Sequence, residues 1–304
     1  MPPFPDQSLT HTSFVSKEED LQVRISKARA ALAQIEQPGI DGLNERVQKI
    51  VALADLVGAE KAKVEPTALA AVKAGAVVYK RRSRLMVLTY IVVCSVWLFH
   101  APSLAYAIGA ILISMISMDM YGAVLHVVLD APEFIWLPAI GEGALEFQWH
   151  HSIPRDIVSK DFMEVVGDLN WVCFLHLALH LYQFGWEMKS TPANALLAAK
   201  LMTAYLGQWS HRMAHEMDSR RPAWVRAGQS VGVLLAPETH AMHHRTYDDG
   251  FPILNGITLP LIRFLRAIMP DNRIWLGLFL LLSFTDTYVL THLLTKALGL
   301  PIYP

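Results

Sequence analysis

Beyond residue 84 the chain is dominated by apolar runs close to bilayer length, and the polar segments between them carry most of the histidines. Such runs predict membrane-spanning helices, because about twenty apolar residues are needed to cross the hydrocarbon core. The first is placed at 85–101 and the second at 103–125, joined by a tight turn at Ala101-Pro102. A third is expected at 170–186, opening at Asn170-Trp171, a fourth at 193–210, and a fifth from Ile274 to Leu294. The fourth contains Lys200, a costly side chain at mid-membrane, so the expectation is four to five spans. The predicted fold class is therefore all-α: an integral membrane helical bundle.

Residues 1–84 show a different pattern. The first sixteen form a Pro- and Ser-containing tail that lacks the basic start and apolar h-region of a cleavable signal peptide, so the first span is expected to serve as the targeting signal. Ser16-Lys17-Glu18-Glu19 makes a capped helix start, and Leu21, Ile25, Ala28, Leu32 and Ile35 follow at three- and four-residue spacing. Pro38-Gly39 ends that helix. A second amphipathic stretch runs from Asp41 to Val64, and a third, alanine-rich, from Pro66 to Tyr79. The organisation predicted is a small helical extension over 1–84 followed by a membrane-embedded domain over 85–304.

Charge supplies an orientation. Lys80-Arg81-Arg82-Ser83-Arg84 stands directly before the first run, and basic flanks mark the cytoplasmic or stromal side of a span. Threading the spans from there places residues 126–169 and 211–273 on that same side. The second of these segments holds Arg212, Arg220, Arg221, Arg226, Arg245, Arg263, Arg266 and Arg273, whereas the loop between the first two spans has neither Lys nor Arg. Composition agrees: the chain of 304 residues is 53% hydrophobic, with a mean hydropathy of +0.31, against about 45–50% apolar in soluble domains. A net charge of −1 offers no argument for a nucleic-acid partner. Cys94 and Cys173 lie inside apolar runs and can build neither a disulfide framework nor a four-thiolate cluster.

The chemistry rests on histidine. Of thirteen, eight fall in the two inward segments: His126, His150, His151, His211, His215, His240, His243 and His244. His211 and His215 are four apart, so a helix presents both imidazoles on one face. His240, His243 and His244 form an H-x-x-H-H group of the same kind, His150-His151 is a tandem pair, and His126 sits four before Asp130. Neutral imidazole suits first-row metals. Eight such ligands exceed what one zinc needs, and zinc has no redox chemistry. The count therefore points to two ions at an oxygen-activating iron site. Asp119, Asp130, Asp161, Glu164, Asp168 and Glu238 are the carboxylates placed to accept the second N–H of a ligating imidazole. His176 and His180 share the four-residue spacing but lie inside the third run and read as packing or cavity residues. His11, His100 and His292 are isolated and receive no role.

These residues resemble the lipid desaturase (Kua-type) domain family. Asp119-x6-His126-x3-Asp130, Phe147-Gln148-Trp149-His150-His151-x2-Pro154 and Asp161-Phe162-x-Glu164-x2-Gly167-Asp168 are similar to its first half. Gln208-x2-His211-x3-His215, Pro222-x-Trp224-Val225-x3-Gln229, Pro237-x2-His240-x2-His243-His244 and Phe251-x-Ile253-x2-Gly256 are similar to its second half, in order. The resemblance spans about 119–260, and the family includes plasmanylethanolamine desaturase and the plastid phosphatidylglycerol desaturase. Val127 and Val166 replace a family Trp and Asn. The resemblance implies a di-iron centre on the eight histidines, O2 as co-substrate, a membrane phospholipid as substrate, and electrons from a partner such as cytochrome b5 or ferredoxin. The residues themselves leave open a di-iron lipid hydroxylase, a zinc-dependent membrane hydrolase and, with histidines inside the spans, a metal transporter.

Overall fold

The structure is a computed structural model that describes residues 84–131, 134, 137, 140–152, 156–246 and 249–303. The helices expected before residue 84 lie outside the described residues. Among the described residues every regular element is helical and there is no strand. They fall into two compact units, one within residues 129–152 and one made of the remainder, on either side of it in sequence.

In the larger unit a helix stands at each of the five places where an apolar run predicted one. These are α1 (Arg84–Phe99), α2 (Leu104–Leu129, whose last residue belongs to the smaller unit), α6 (Asn170–Phe184), α7 (Thr191–His215) and α11 (Asn272–Leu298). Shorter helices lie between: α4 (Asp156–Ser159), α5 (Phe162–Gly167), α8 (Ala223–Ser230), α9 (Pro237–Thr246) and α10 (Leu259–Ile268). In the smaller unit α3 (Gly141–Ser152) carries His150 and His151 in its last turn. Two of the five long helices, α2 and α11, are long and apolar enough to cross a membrane; α1 is apolar but shorter. This is the build of a helical protein compatible with a membrane.

Local chemistry fixes the helix ends. The Ser103 hydroxyl accepts from the Tyr106 amide at 3.1 Å and caps α2 just past Pro102. Pro192 sits in the first turn of α7, where its missing N–H costs nothing. Asp271 caps α11 by accepting from Arg273 N at 2.9 Å, and Gly299 closes it in the left-handed conformation.

The reason α7 reads as less apolar than a span is its position. From Pro192 to Leu201 every residue is buried. Its alanines let neighbours approach closely: Ala195, Leu196 and Ala199 pack on Tyr106 and Ala110 of α2, while Leu197, Ala198, Leu201 and Tyr205 pack on Val87, Tyr90 and Cys94 of α1 and on Cys173 of α6. Lys200, the anomaly of the fourth run, is fully interior and pairs with Asp286 of α11, with Thr287 Oγ1 accepting at 2.7 Å. On α11, Thr291 and Thr295 return their hydroxyls to the carbonyls four residues earlier. Polar groups thus face inward in pairs, while Leu88, Val92 and Phe99 of α1, Ile108 and Leu112 of α2, and Leu280, Leu281 and Leu293 of α11 are exposed. That inversion suits an apolar solvent.

Two ends of the unit are distinct. At one, Arg84 pairs with Asp161 and lies 3.4 Å from Glu164, and Arg212 donates to the carbonyls of Val158 and Lys160 at 2.9 Å each. At the other, the Tyr106 hydroxyl donates to Pro192 O at 3.0 Å and Ser190 Oγ to Ile302 O at 2.6 Å. The chain segments that sequence threading put on one side, Arg84, residues 158–164 and residues 211–216, therefore do meet at one end.

Candidate metal centre

The last turn of α7 and the whole of α9 face each other at that end. His211 and His215, one helical turn apart on α7, present Nε2 atoms to His240 Nε2 at 3.0 and 2.7 Å. His244, one turn after His240 on α9, brings its own Nε2 to 3.0 Å from the same atom. The donor nitrogens of His211, His215, His240 and His244 all lie within 4.8 Å of one another. An imidazole nitrogen has one in-plane position, for a proton or for a lone pair. It cannot serve three partners at once, whereas a cation among them is served by four lone pairs together. Burial, and then the surrounding imidazoles of His211, His215, His244 and His243, push His240 well below the ordinary histidine range. Neutral imidazole is the ligating form. The donor set fits a borderline first-row metal.

His243 turns away from this group, although H-x-x-H-H spacing places all three rings on one side of the helix. Its ring meets that of His126, from the end of α2, with centroids 4.3 Å apart and edge to face. Each of these two rings is anchored at Nδ1 by a backbone carbonyl: His126 to Phe251 O at 2.8 Å, and His243 to Asp249 O at 2.9 Å. Donation of Nδ1–H fixes the tautomer and leaves the Nε2 lone pair for a metal, the outer arrangement that ligating histidines use. The two groups are adjacent: His126 stands 6.0 and 6.4 Å from the rings of His211 and His240. Six of the eight expected ligands are thus gathered in two neighbouring sets within one unit.

In the smaller unit His150 and His151 end α3 with ring centroids 5.9 Å apart. Asp130 holds His151 Nε2 at 2.8 Å, with both side chains buried. A carboxylate on an imidazole is the second familiar way of orienting a metal ligand.

The other expected carboxylates are found elsewhere. Asp119 is fully buried and accepts from Asn255 N, Gly256 N and Thr258 N at 3.0, 3.0 and 2.9 Å, and from Thr258 Oγ1 at 2.6 Å. Its carboxylate holds the loop that leads into α10. Asp161 and Glu164 form a capping box at the start of α5, and Asp168 pairs with Lys160 at 3.0 Å. Glu238 is exposed in the first turn of α9. Asp119, Asp161 and Asp168 therefore tie the frame together through contacts other than imidazole: Asp119, midway along α2, and Asp161, at the start of α5, accept from backbone amides that a loop and a helix start leave free, and Asp168 meets the Lys160 ammonium.

Sequence reasoning marked Phe251 only as part of a matched motif and gave no role to the strap formed by Asp249, Gly250 and Phe251. Gly250 has φ +73, and an added Cβ would lie 2.7 Å from Thr239 O and 3.0 Å from His243 Cβ. Only glycine lets the strap run this close to α9. Phe251 packs its ring on His126 and His243 at 5.9 and 5.2 Å. Arg263 of α10 fixes Asp249 through both carboxylate oxygens, with Nε–Oδ1 at 2.8 Å and Nη2–Oδ2 at 2.7 Å. Burial works against the Asp249 charge, but Arg263 and the Gly250 amide outweigh it and hold the carboxyl below its ordinary range. The signal available was the Asp-Gly turn pair soon after the histidine group. Ser210 is a second omission: it accepts from Leu235 N at 2.8 Å and donates to Leu254 O at 2.7 Å, bracing the chain beside His211.

His176 and His180 belong to another region. His180 Nε2 meets Asn194 Oδ1 at 2.7 Å, and Asn194 donates to Met188 O at 2.7 Å. His176 lies edge-on to Tyr121, with centroids 4.9 Å apart. His211 lies seventeen positions after Asn194 on α7, about 25 Å along the axis. The position agrees with a packing role.

Among the described residues, the helices of the larger unit expose apolar faces and bring imidazoles together at one end, which defines a helical, histidine-rich protein able to hold metal. Residues 115–268, half of the chain, match the lipid desaturase domain, and the chain belongs to that family. It is also 28% identical over 157 residues to "Fatty acid desaturase 4, chloroplastic" of Arabidopsis thaliana, covering 51% of this chain and 46% of that protein, so the chain spans about half the length of this curated relative. No solved structure matches.

Proposed function

We propose that this chain is a multi-pass membrane lipid desaturase that introduces a C=C bond into an acyl or alkyl chain of a glycerophospholipid. The observation that carries the reading is the convergence of six imidazoles, in two adjacent sets, inside the segment that matches the lipid desaturase domain. His126, His211, His215, His240, His243 and His244 would hold two iron ions, and the sequence pattern adds His150 and His151 to complete the ligands. With O2 and an electron donor such as cytochrome b5 or ferredoxin, such a pair supplies an oxidant strong enough to break an unactivated C–H bond. The balance is simple: two hydrogens leave adjacent carbons, and O2, two electrons and two further protons end as two waters.

The chain's own part is positioning. The carbonyls of Asp249 and Phe251 keep two imidazoles in the ligating tautomer. The Phe251 ring covers those imidazoles and helps exclude water. The arginine bias around the histidine segments supports a cytoplasmic or stromal site, where a head group stays wet while its chain enters between helices. The relative's chloroplast desaturase name supports the same chemistry.

The test is lipid profiling of cells with and without the chain, paired with metal analysis of the purified protein. One phospholipid class should lose two hydrogens in an O2-dependent way, and the protein should carry iron. Gain of an oxygen atom instead would assign hydroxylation. Activity without O2, on a protein that carries zinc alone, would end the proposal.

A further inference from the structure

The short helix α10 has two faces of opposite character. On one, Ile262 is buried, and Arg266 lies over the rings of Phe251 and Trp275 at 5.7 and 5.6 Å and bonds Asn272 Oδ1 at 3.0 Å. On the other, Leu261, Phe264 and Ile268 recur at three- and four-residue spacing with 45%, 61% and 59% exposure, and Ile257 just ahead is exposed to 59%. A stripe of four large apolar side chains is more than a water-facing helix normally shows.

What covers it follows from where α10 is tied. The helix is pinned to the first turn of α11: Trp275 Nε1 donates to Met269 O at 2.7 Å, and Arg266 reaches Asn272. α11 is one of the two bilayer-length helices, and its exposed apolar face begins at Ile274, immediately beyond the stripe. Asp271 and the highly exposed Arg273 lie between, as charged residues do at a membrane boundary. A helix fixed beside the point where a span enters the bilayer has its apolar side at the depth of the boundary.

We propose that α10 lies on the surface of the phospholipid bilayer, with Leu261, Phe264 and Ile268 inserted at the boundary between headgroups and acyl chains. The inference rests on the membrane reading of α11 and goes beyond it by assigning a second, shallower lipid contact. It has a consequence for the site. Arg263 on this helix grips Asp249, whose carbonyl anchors His243, so lipid contact sets the depth of the metal-holding imidazoles at headgroup level.

The experiment places nitroxide labels one at a time at Phe264→Cys, Leu281→Cys and Glu187→Cys in the full chain reconstituted into phospholipid nanodiscs. Collision with O2, enriched in lipid, is compared with collision with chromium oxalate, confined to water. Cys94 and Cys173 are buried, and the parent chain put through the same labelling gives the background. The expected O2-to-oxalate ratio is highest at 281, lowest at 187 and intermediate at 264. Ile268→Cys should repeat the 264 result. A ratio at 264 equal to that at 187, with 281 still high, overturns the surface helix and leaves the spanning helix standing. Low collision with both relaxants at 264 means that protein, including a second copy of the chain, covers the stripe, and also overturns it. A water-like ratio at 281 removes the membrane reading itself.

Discussion

Replacement of Gly250 by Ala tests whether the strap positions the imidazoles. At φ +73 an alanine pays the left-handed penalty, roughly 1–2 kcal/mol. Its Cβ would also stand 2.7 Å from Thr239 O and 3.0 Å from His243 Cβ, both on or beside the backbone of α9, where nothing flexible can yield. Overpacking of this kind costs about 1–3 kcal/mol, which totals about 2–5 kcal/mol if the strap stays, and less if it moves. Movement by even a few tenths of an ångström lengthens the 2.8 and 2.9 Å bonds from Phe251 O and Asp249 O to His126 and His243. Loss of such outer partners lowers metal affinity about 10–100-fold. Gly232 is the control, because at φ +72 it has nothing within 4 Å of an added Cβ; Gly232→Ala pays the conformational penalty alone. Both variants are purified in detergent, titrated with Fe(II) under anaerobic conditions and melted. Gly250→Ala should bind iron at least about tenfold more weakly than Gly232→Ala and melt lower. Equal iron affinity in the two variants would show that the strap does not hold the ligands.

Other consequences are open to the same measurements. Lys200→Met leaves Asp286 buried and uncompensated and should destabilise by about 3–5 kcal/mol, while Lys200→Met with Asp286→Leu should recover most of the loss; no recovery in thermal melts would mean that the pair is not coupled. Asp119→Ala strands the amides of residues 255, 256 and 258 and should cost about 3 kcal/mol or more, with faster proteolysis in that loop. His243→Ala should lose iron and lipid product together, whereas His180→Ala should keep its iron content, because its partner Asn194 stands about 25 Å from His211 along α7; iron loss in the second would place His180 in the centre.

Much of this protein was legible in the order of its residues. Apolar runs located all five long helices, since burial in an apolar surrounding needs apolar length and nothing subtler. Four-residue spacing put His211 with His215 and His240 with His244, because helical periodicity is a local property. Tertiary structure decided the rest. His243 leaves its neighbours for His126, more than a hundred residues away, and no spacing rule reports which ring a third element will bring close. Lys200 read as an obstacle until Asp286 appeared opposite it. The carbonyls of Asp249 and Phe251 carry the tautomers of two imidazoles, yet every residue has a carbonyl, and only the path of the folded backbone aims these two. Carboxylates chosen from the sequence as imidazole partners, Asp119 above all, turned out to satisfy amides at a loop. The physical reason is common to these cases: side-chain chemistry and period are written locally, whereas the pairing of polar groups is settled by whichever unsatisfied partner packing brings within 3 Å.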